Sequence, residues 1–174
     1  MHEYLSMPDI KIIRRSLNEN EINLLMMDIR LYPDLVFVKE SRFRKYNDAY
    51  IVEQDKEFVG LCGIYEMKDW VKLGPLVFLK KFHGKGYGKI LLNKIVNDYS
   101  DKNIFITSSN IAVQKIISRL DFKEVAGYFN LPLPILLSLI EQLYEHIHWK
   151  MVTEFFRKKF TMTRNARKYY VKIV

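Results

Sequence analysis

The chain has 174 residues, 49% hydrophobic and 28% charged, a composition that indicates one folded domain and excludes a disordered protein. Its single cysteine, Cys62, excludes an intrachain disulfide framework, and the first residues lack the basic segment and apolar core of a secretory signal, so we expect a cytoplasmic protein. The longest apolar stretch, LPLPILLSLI, is far shorter than the roughly 20 residues that span a bilayer, so no membrane partner is predicted.

The first half of the chain predicts a strand, two helices and three further strands. Residues 10–17 have an apolar strand pattern, and residues 18–21 can cap a helix whose apolar residues lie three and four apart: Ile22, Leu25, Met26 and Ile29. Pro33 ends this helix, and a second, short helix is expected near 36–46 with Phe37 and Phe43 as its anchors. Strands are then predicted at 49–54, 58–67 and 71–79.

Three glycines at alternating positions follow the last of these strands. Gly84, Gly86 and Gly88 come after a basic turn, and the apolar spacing beyond them predicts a helix over 84–99. The first turn of a helix has N–H groups without partners and carries partial positive charge. Glycines have no Cβ to keep a phosphate from these amides. The segment therefore predicts an anion site, the alternative being a glycine turn that binds no ligand.

The spacing of the glycines decides which kind of phosphate site is meant. A P-loop would need glycine in place of His83, and a dinucleotide fingerprint would need a further glycine in place of Lys89. The pattern that fits is Gln/Arg-x-x-Gly-x-Gly/Ala, read from His83 to Gly88 after a strand and before an apolar helix. This segment resembles the acyl-CoA pyrophosphate loop of the GNAT superfamily of N-acetyltransferases.

Residues 104–125 strengthen the resemblance. They predict a strand, a turn rich in Ser and Asn, a helix over 110–120 and a strand over 122–128. Members of the family carry an Asn, an Ala soon after it, and Leu-Gly-Phe at the start of the next strand. Residues at those spacings here are Asn110, Ala112, Leu120 and Phe122.

The order of elements resembles the family over about residues 10–128. It implies an α/β (α+β) fold, a mixed and mostly antiparallel sheet flanked by helices, with residues 1–174 as a single domain. The end of the chain departs from the family, because Pro132 and Pro134 open a helical apolar pattern. We expect a helical insertion over about 132–160, broken near His148-Trp149, and the last strand at about 168–174. The apolar stripe of the insertion would pack on the core, form a homodimer interface or cover the acceptor site.

The resemblance also implies where acetyl-CoA, the cosubstrate, would bind. The strand before the glycine loop is expected to bulge and to splay from its neighbour. The backbone of Leu76, Val77 and Phe78 would lie along the thioester and the pantetheine arm, with the Phe78 N–H as donor to the thioester oxygen. Asn110 would contact the pantetheine arm, although it can equally cap its helix. The positions implied for the pyrophosphate are His83, Gly84, Lys85, Gly86, Tyr87, Gly88 and Lys89.

Side chains for proton transfer are missing from the usual places. The tyrosine that protonates the departing thiolate in the family would stand where this chain has Ile117, and Asp121 replaces the glycine before Phe122. The strands predicted at 71–79 and 103–108 carry no carboxylate that could act as general base. Either water carries the protons, or a residue elsewhere does, with Asp34 and Tyr128 as candidates from their positions alone.

The leading hypothesis is therefore an N-acetyltransferase that transfers the acetyl group of acetyl-CoA to a primary amine of a small molecule or a protein. The first alternative, suggested by Ile117, is a protein of this fold that binds acyl-CoA without catalysis. The second is a basic interaction module, because the net charge of +8 is concentrated in Arg157–Lys172. The aromatic spacing there suits packing better than nucleic acid. His146 and His148 lie two apart and point to different helix faces, so no metal is predicted.

Overall fold

The computed structural model of the chain describes residues 9–32, 40–45, 48–146, 156 and 166–174. The elements in chain order are β1 (Ile10–Arg15), α1 (Glu19–Ile29), α2 (Glu40–Lys45), β2 (Ala49–Gln54), β3 (Glu57–Glu66), β4 (Trp70–Phe78), α3 (Tyr87–Asp98), β5 (Asn103–Ser108), α4 (Ile111–Ile117), β6 (Lys123–Val125), α5 (Leu133–His146) and β7 (Lys168–Lys172). Short 3₁₀ turns at Lys80–Phe82 and Tyr128–Asn130 follow β4 and β6.

The strands of the described residues form one seven-stranded sheet in the order β1-β2-β3-β4-β5-β7-β6. Neighbouring strands are antiparallel except β4 and β5, which run parallel. The mixed, mostly antiparallel sheet predicted from the sequence is therefore confirmed. β7 lies between β5 and β6, so the chain leaves the sheet after β6, forms the insertion and returns to the place beside β5.

Helices cover both faces of the sheet. On one face, Arg15 of β1 donates hydrogen bonds to Glu21 of α1 and to Glu53 of β2. On the other face, the Tyr50 hydroxyl donates to Asp98 of α3 at 2.8 Å. Side chains alternate along a strand, so the two contacts assign α1 and α3 to opposite faces.

The core continues beneath the helical insertion. A cluster separate from the main core has these buried members: Trp70, Phe105, Leu131, Ile135, Tyr169 and Val171. One face of α5 packs on this cluster through Ile135, which is the first of the three arrangements considered for the apolar stripe of the insertion. The other face leaves Leu133, Leu137 and Ile140 more than half exposed.

Several element boundaries differ from the predicted ones. The helix expected over 84–99 begins only at Tyr87, because Gly84 and Gly86 have φ angles of +77° and +86° that a right-handed helix cannot include. The strand expected over 122–128 is shortened to three residues. The expected break near His148-Trp149, the anchor Phe37 and most of Arg157–Lys172 lie outside the described residues. No helix within the described ranges is long and apolar enough to cross a bilayer.

A network of charged and aromatic groups ties β1 and β3 to the end of α3. The Arg14 guanidinium lies 5.7 Å from the ring centres of Tyr50 and Tyr99 and donates to Glu66 at 2.6 Å. The Tyr99 hydroxyl donates to the same Glu66 carboxylate at 2.5 Å, and Lys102 lies 3.1 Å away. The Tyr99 hydrogen bond first, then Lys102 and Arg14, lower the pKa of Glu66 from 4.5 to about 2, against the opposing effect of desolvation.

We expect this carboxylate to make stability depend on pH between about 4.5 and 2. The folded pKa lies below the unfolded one, so the contribution of Glu66 is complete above pH 4.5 and is lost as the pH falls through 2. Urea unfolding at a series of pH values should show a shallower decline for Glu66→Gln than for the wild type. Tyr99→Phe, which removes the strongest contact, should give an intermediate slope. Three equal slopes would contradict the prediction.

Candidate functional site

The end of β4 has an edge that pairs with no described strand. β4 pairs with β3 as far as Phe78, but it pairs with β5 only from Trp70 to Leu73. Just after Leu73, Gly74 and Pro75 both stand opposite a single residue of β3, and this arrangement is a β-bulge. The bulge and the separation from β5 that the resemblance implies are both confirmed. We call residues 74–78 the free edge of β4, and the space between the diverging ends of β4 and β5 the gap.

The hydrogen-bond ladder shows which backbone groups face the gap. The Leu79 N–H donates to the Val59 carbonyl of β3 at 2.9 Å. Because consecutive residues of an antiparallel ladder alternate in direction, Phe78 and Leu76 direct their N–H and C=O groups away from β3 and into the gap. Val77 stands opposite Leu61 and directs its own backbone groups toward β3. Two of the three positions expected along the thioester and pantetheine arm therefore face the gap, and Val77 does not.

The carbonyl of Phe78 is held by two side chains. It accepts hydrogen bonds from the Tyr32 hydroxyl and from Nε2 of His83, each at 2.9 Å, and the two rings are stacked at 5.3 Å. A carbonyl can only accept, so His83 carries its proton on Nε2. The Tyr32 hydroxyl also lies 3.1 Å from Oδ2 of Asp28, which accepts the Lys80 N–H at 2.7 Å. Burial, and then the charge of Asp28, raise the pKa of Tyr32 well above its usual value, so Tyr32 stays protonated.

The glycine loop presents a row of backbone donors. Gly84 and Gly86 adopt left-handed φ angles, and a Cβ added at either would meet nothing within 4 Å. Within the part of the chain that the structure describes, the N–H groups of residues 84–88 have no hydrogen-bond partner, whereas those of Lys89 and Ile90 bond to the Gly86 carbonyl. The row lies at the N-terminus of α3, where the helix dipole adds positive charge. The loop can therefore accept an anion such as a diphosphate.

Side chains around the loop divide into exposed lysines and a buried anchor. The Lys85 ammonium lies 5.0 Å from the ring centre of Phe82, and Lys89 is exposed on the first turn of α3. Tyr87 is different, because its ring is buried edge-on against Phe82 and its hydroxyl donates to Gln54. Tyr87 fixes the loop from inside, so only its N–H can face a ligand. His83 is turned toward β4 rather than toward the row of amides.

Asn110 lies after β5 and caps α4. Its Oδ1 accepts the N–H groups of Ala112 at 2.9 Å and Val113 at 3.3 Å. The capping role that the sequence allows is therefore present. Because the side-chain oxygen Oδ1 is used for capping, the side-chain nitrogen Nδ2 of Asn110 is the donor that remains for a pantetheine arm.

The position of the usual tyrosine is filled by hydrocarbon. Ile117 is completely buried in the main core. Asp34 lies outside the described residues, and so does the side chain of Tyr128, so the structure places neither candidate for proton transfer. Burial raises the pKa of the Cys62 thiol to about 12, which excludes it as a nucleophile. Among the residues with a described placement, no group of three His, Cys, Asp or Glu side chains could hold a metal ion.

Sequence reasoning missed Asp28 and Tyr32. They lie four residues apart at the end of α1 and beyond it, and their spacing is also that of an ordinary solvated helix face. Their contacts with Phe78 and Lys80 join positions about fifty residues apart, with separations of 46 and 52. A local pattern contains no signal for such a contact.

Comparison with known proteins assigns the fold and the site to a family. The sequence matches the family model described as Acetyltransferase (GNAT) family over residues 18–122, more than half of the chain. The chain belongs to this family, whose cosubstrate is acetyl-CoA. No protein in a search of curated sequences matches.

Solved structures of similar fold include three enzymes at low identity. N-acetylglutamate synthase from Neisseria gonorrhoeae, complexed with coenzyme A and N-acetyl-glutamate, is 15% identical with a TM-score of 0.65 over 96% of this chain and 35% of that one. RimL, a ribosomal L7/L12 alpha-N-protein acetyltransferase in complex with coenzyme A, is 12% identical with a TM-score of 0.60 over 94% of both chains. The ribosomal-protein-S18-alanine N-acetyltransferase of Escherichia coli is 12% identical with a TM-score of 0.58 over 95% of this chain and 92% of that one. This chain thus spans about a third of the synthase, and these identities establish the shared fold alone.

Proposed function

We propose that this chain transfers the acetyl group of acetyl-CoA to a primary amine on a small molecule or a protein. The observation that carries the proposal is the row of N–H groups at 84–88, which have no partner within the described residues and are separated from the free edge of β4 by one short turn. A diphosphate on the row and a thioester on the free edge would be the groups at the two ends of the pantetheine arm of one bound acyl-CoA. Membership of the family supports the same reading.

Backbone groups would do most of the work. The row at 84–88 and the ammonium groups of Lys85 and Lys89 would hold the diphosphate, and the Asn110 amide would donate to the pantetheine arm. The Phe78 N–H would donate to the thioester oxygen, where negative charge develops as the amine attacks the carbonyl carbon. Acetyl-CoA supplies the activated acyl group, and the thiol leaves as the new amide bond forms.

Proton transfer would proceed without the usual tyrosine. Ile117 cannot protonate the leaving thiolate, so water, Asp34 or Tyr128 would have to serve. Loss of a general acid or base typically costs roughly 10²–10⁴-fold in rate, which slows transfer without abolishing it.

The test has a binding step and a turnover step. Isothermal titration should show coenzyme A and acetyl-CoA binding to the wild type, and no binding at millimolar concentration would overturn the proposal. Thiol release from acetyl-CoA should then be followed with a panel of amines: amino acids, polyamines and peptides with free N-termini. Release that depends on one class of amine would identify the acceptor.

The burial of Ile117 favours one other function. A chain with an intact cofactor loop and no proton donor could bind acyl-CoA without transferring the acyl group. Binding of acetyl-CoA with no thiol release from any amine would support this second function over the first. The single domain, the cytoplasmic location and the homodimer remain predictions.

A further inference from the structure

We propose that Tyr32 is a positioning residue for acetyl transfer, which fixes the end of β4 so that the Phe78 N–H points at the thioester oxygen. The inference rests on the proposed function and assigns a role to a residue that the family pattern does not include. Tyr32 acts through the backbone of Phe78 and need not touch the substrate.

The peptide unit between Phe78 and Leu79 is held from both sides. On the β3 side, the Leu79 N–H donates to the Val59 carbonyl at 2.9 Å. On the gap side, the Phe78 carbonyl accepts from Tyr32 and His83. Since no described strand pairs with the free edge, these two side chains replace the missing strand at this carbonyl. They fix the peptide that follows Phe78 and hence the direction of the neighbouring Phe78 N–H.

The end of α1 binds two successive points of the chain as it leaves β4. Tyr32 holds the Phe78 carbonyl, and Asp28, one helical turn earlier, accepts the Lys80 N–H at 2.7 Å. Oδ2 of Asp28, 3.1 Å away, is a second acceptor for the single proton of the Tyr32 hydroxyl, and the Tyr32 ring is stacked on His83. The direction of the Phe78 amide is therefore set in part by residues at and just beyond the end of α1, outside the glycine loop.

The size of the effect follows from how strongly catalysis depends on donor position. Removing a donor to a developing oxyanion costs about 10²–10³-fold in kcat, and a displacement of about 1 Å can cost about 10²-fold. Tyr32→Phe keeps the ring and leaves His83 on the same carbonyl, so we expect kcat to fall about tenfold. The KM for acetyl-CoA and the Kd for coenzyme A should change less than about twofold, because the diphosphate contacts lie in the loop.

Tyr50→Phe is the matched control. The Tyr50 hydroxyl, like that of the partly buried Tyr32, is within hydrogen-bond distance of a carboxylate, Asp98, but Tyr50 is buried and lies on the α3 face of the sheet. Both variants should lose similar stability in urea, and only Tyr32→Phe should lose kcat. The double variant Tyr32→Phe/His83→Ala should lose more kcat than the product of the two single losses, because both residues hold one carbonyl.

The outcomes distinguish a failure of the proposed function from a failure of the role of Tyr32 alone. If the wild type binds coenzyme A but releases no thiol with any amine, the proposed function fails and this role fails with it. If the wild type is active and Tyr32→Phe has the same kcat as Tyr50→Phe, this role alone is overturned. A parallel loss of kcat, coenzyme A affinity and stability in Tyr32→Phe would also overturn it, because that is the result of a purely structural role.

Discussion

Replacing Gly86 by alanine should weaken the binding of coenzyme A by about 10- to 100-fold while the chain stays folded. A Cβ at Gly86 would meet no protein atom within 4 Å, so it would extend into the open space beside the row of N–H groups. That space is where a diphosphate would lie, and losing one charge-assisted hydrogen bond costs about 1.5–3 kcal/mol. The φ angle of +86° adds a backbone strain of about 1–2 kcal/mol for a residue with a Cβ. Isothermal titration and urea unfolding measure the two effects separately.

Gly127→Ala separates the strain from the loss of binding. Gly127 has a φ angle of +76° and open space around its Cβ position, but it lies after β6. The Gly127→Ala variant should lose about as much stability as Gly86→Ala and should keep the Kd of the wild type for coenzyme A. Equal Kd values for the wild type and both variants would show that the row at 84–88 does not hold the diphosphate.

Patterns among neighbouring residues predicted those features of the fold, such as helix caps, that depend on neighbouring residues alone. Asn18 accepts the Glu21 N–H while the Glu21 side chain accepts the Asn18 N–H, which is the capping box that starts α1. Asn110 caps α4 in the same local way. The contact of Tyr32 with Phe78 was not predictable in this manner, because periodicity identifies the buried side of a helix and not the carbonyl that a hydroxyl will reach. The burial of Ile117 agrees with its apolar character, but its place in the main core depends on the whole sheet.

Two departures from the family pattern have different consequences. Asp121 has a φ angle of +60°, the left-handed conformation that explains a glycine at this position in relatives. Aspartate tolerates this conformation better than most residues, so the substitution preserves the turn. Ile117 instead replaces a proton donor by hydrocarbon. The backbone that would bind acyl-CoA is therefore retained, while the side-chain chemistry has changed, and binding and turnover can be tested independently.

Gly60→Ala should destabilise the fold by about 2–3 kcal/mol and abolish acetyl transfer, because it places a methyl group against Phe78. Gly60 of β3 stands directly opposite Phe78 of β4. An added Cβ would lie 2.6 Å from Cδ1 and 2.7 Å from Cα of Phe78, and closer still to the Val77 carbonyl oxygen. Two of these three atoms are backbone, so a side-chain rotation cannot relieve the clash and β4 must move. The movement would displace the Phe78 N–H that the proposed mechanism needs.

Gly88→Ala tests whether the loss of stability is specific to a methyl group added on the β3 side of Phe78. A Cβ at Gly88 would lie 3.6 Å from Cε2 of Phe78 and 3.6 Å from Cδ1 of Ile116, which are ordinary contacts. Gly88 is in the first turn of α3, where alanine is the better helix former by up to about 1 kcal/mol, so this variant should unfold at the same or higher urea concentration. Two alanines that approach the same phenylalanine should thus change stability in opposite directions. If Gly60→Ala unfolds like the wild type, β3 and β4 are not in close contact at Phe78, and the end of β4 is not held in the way that the positioning by Tyr32 requires.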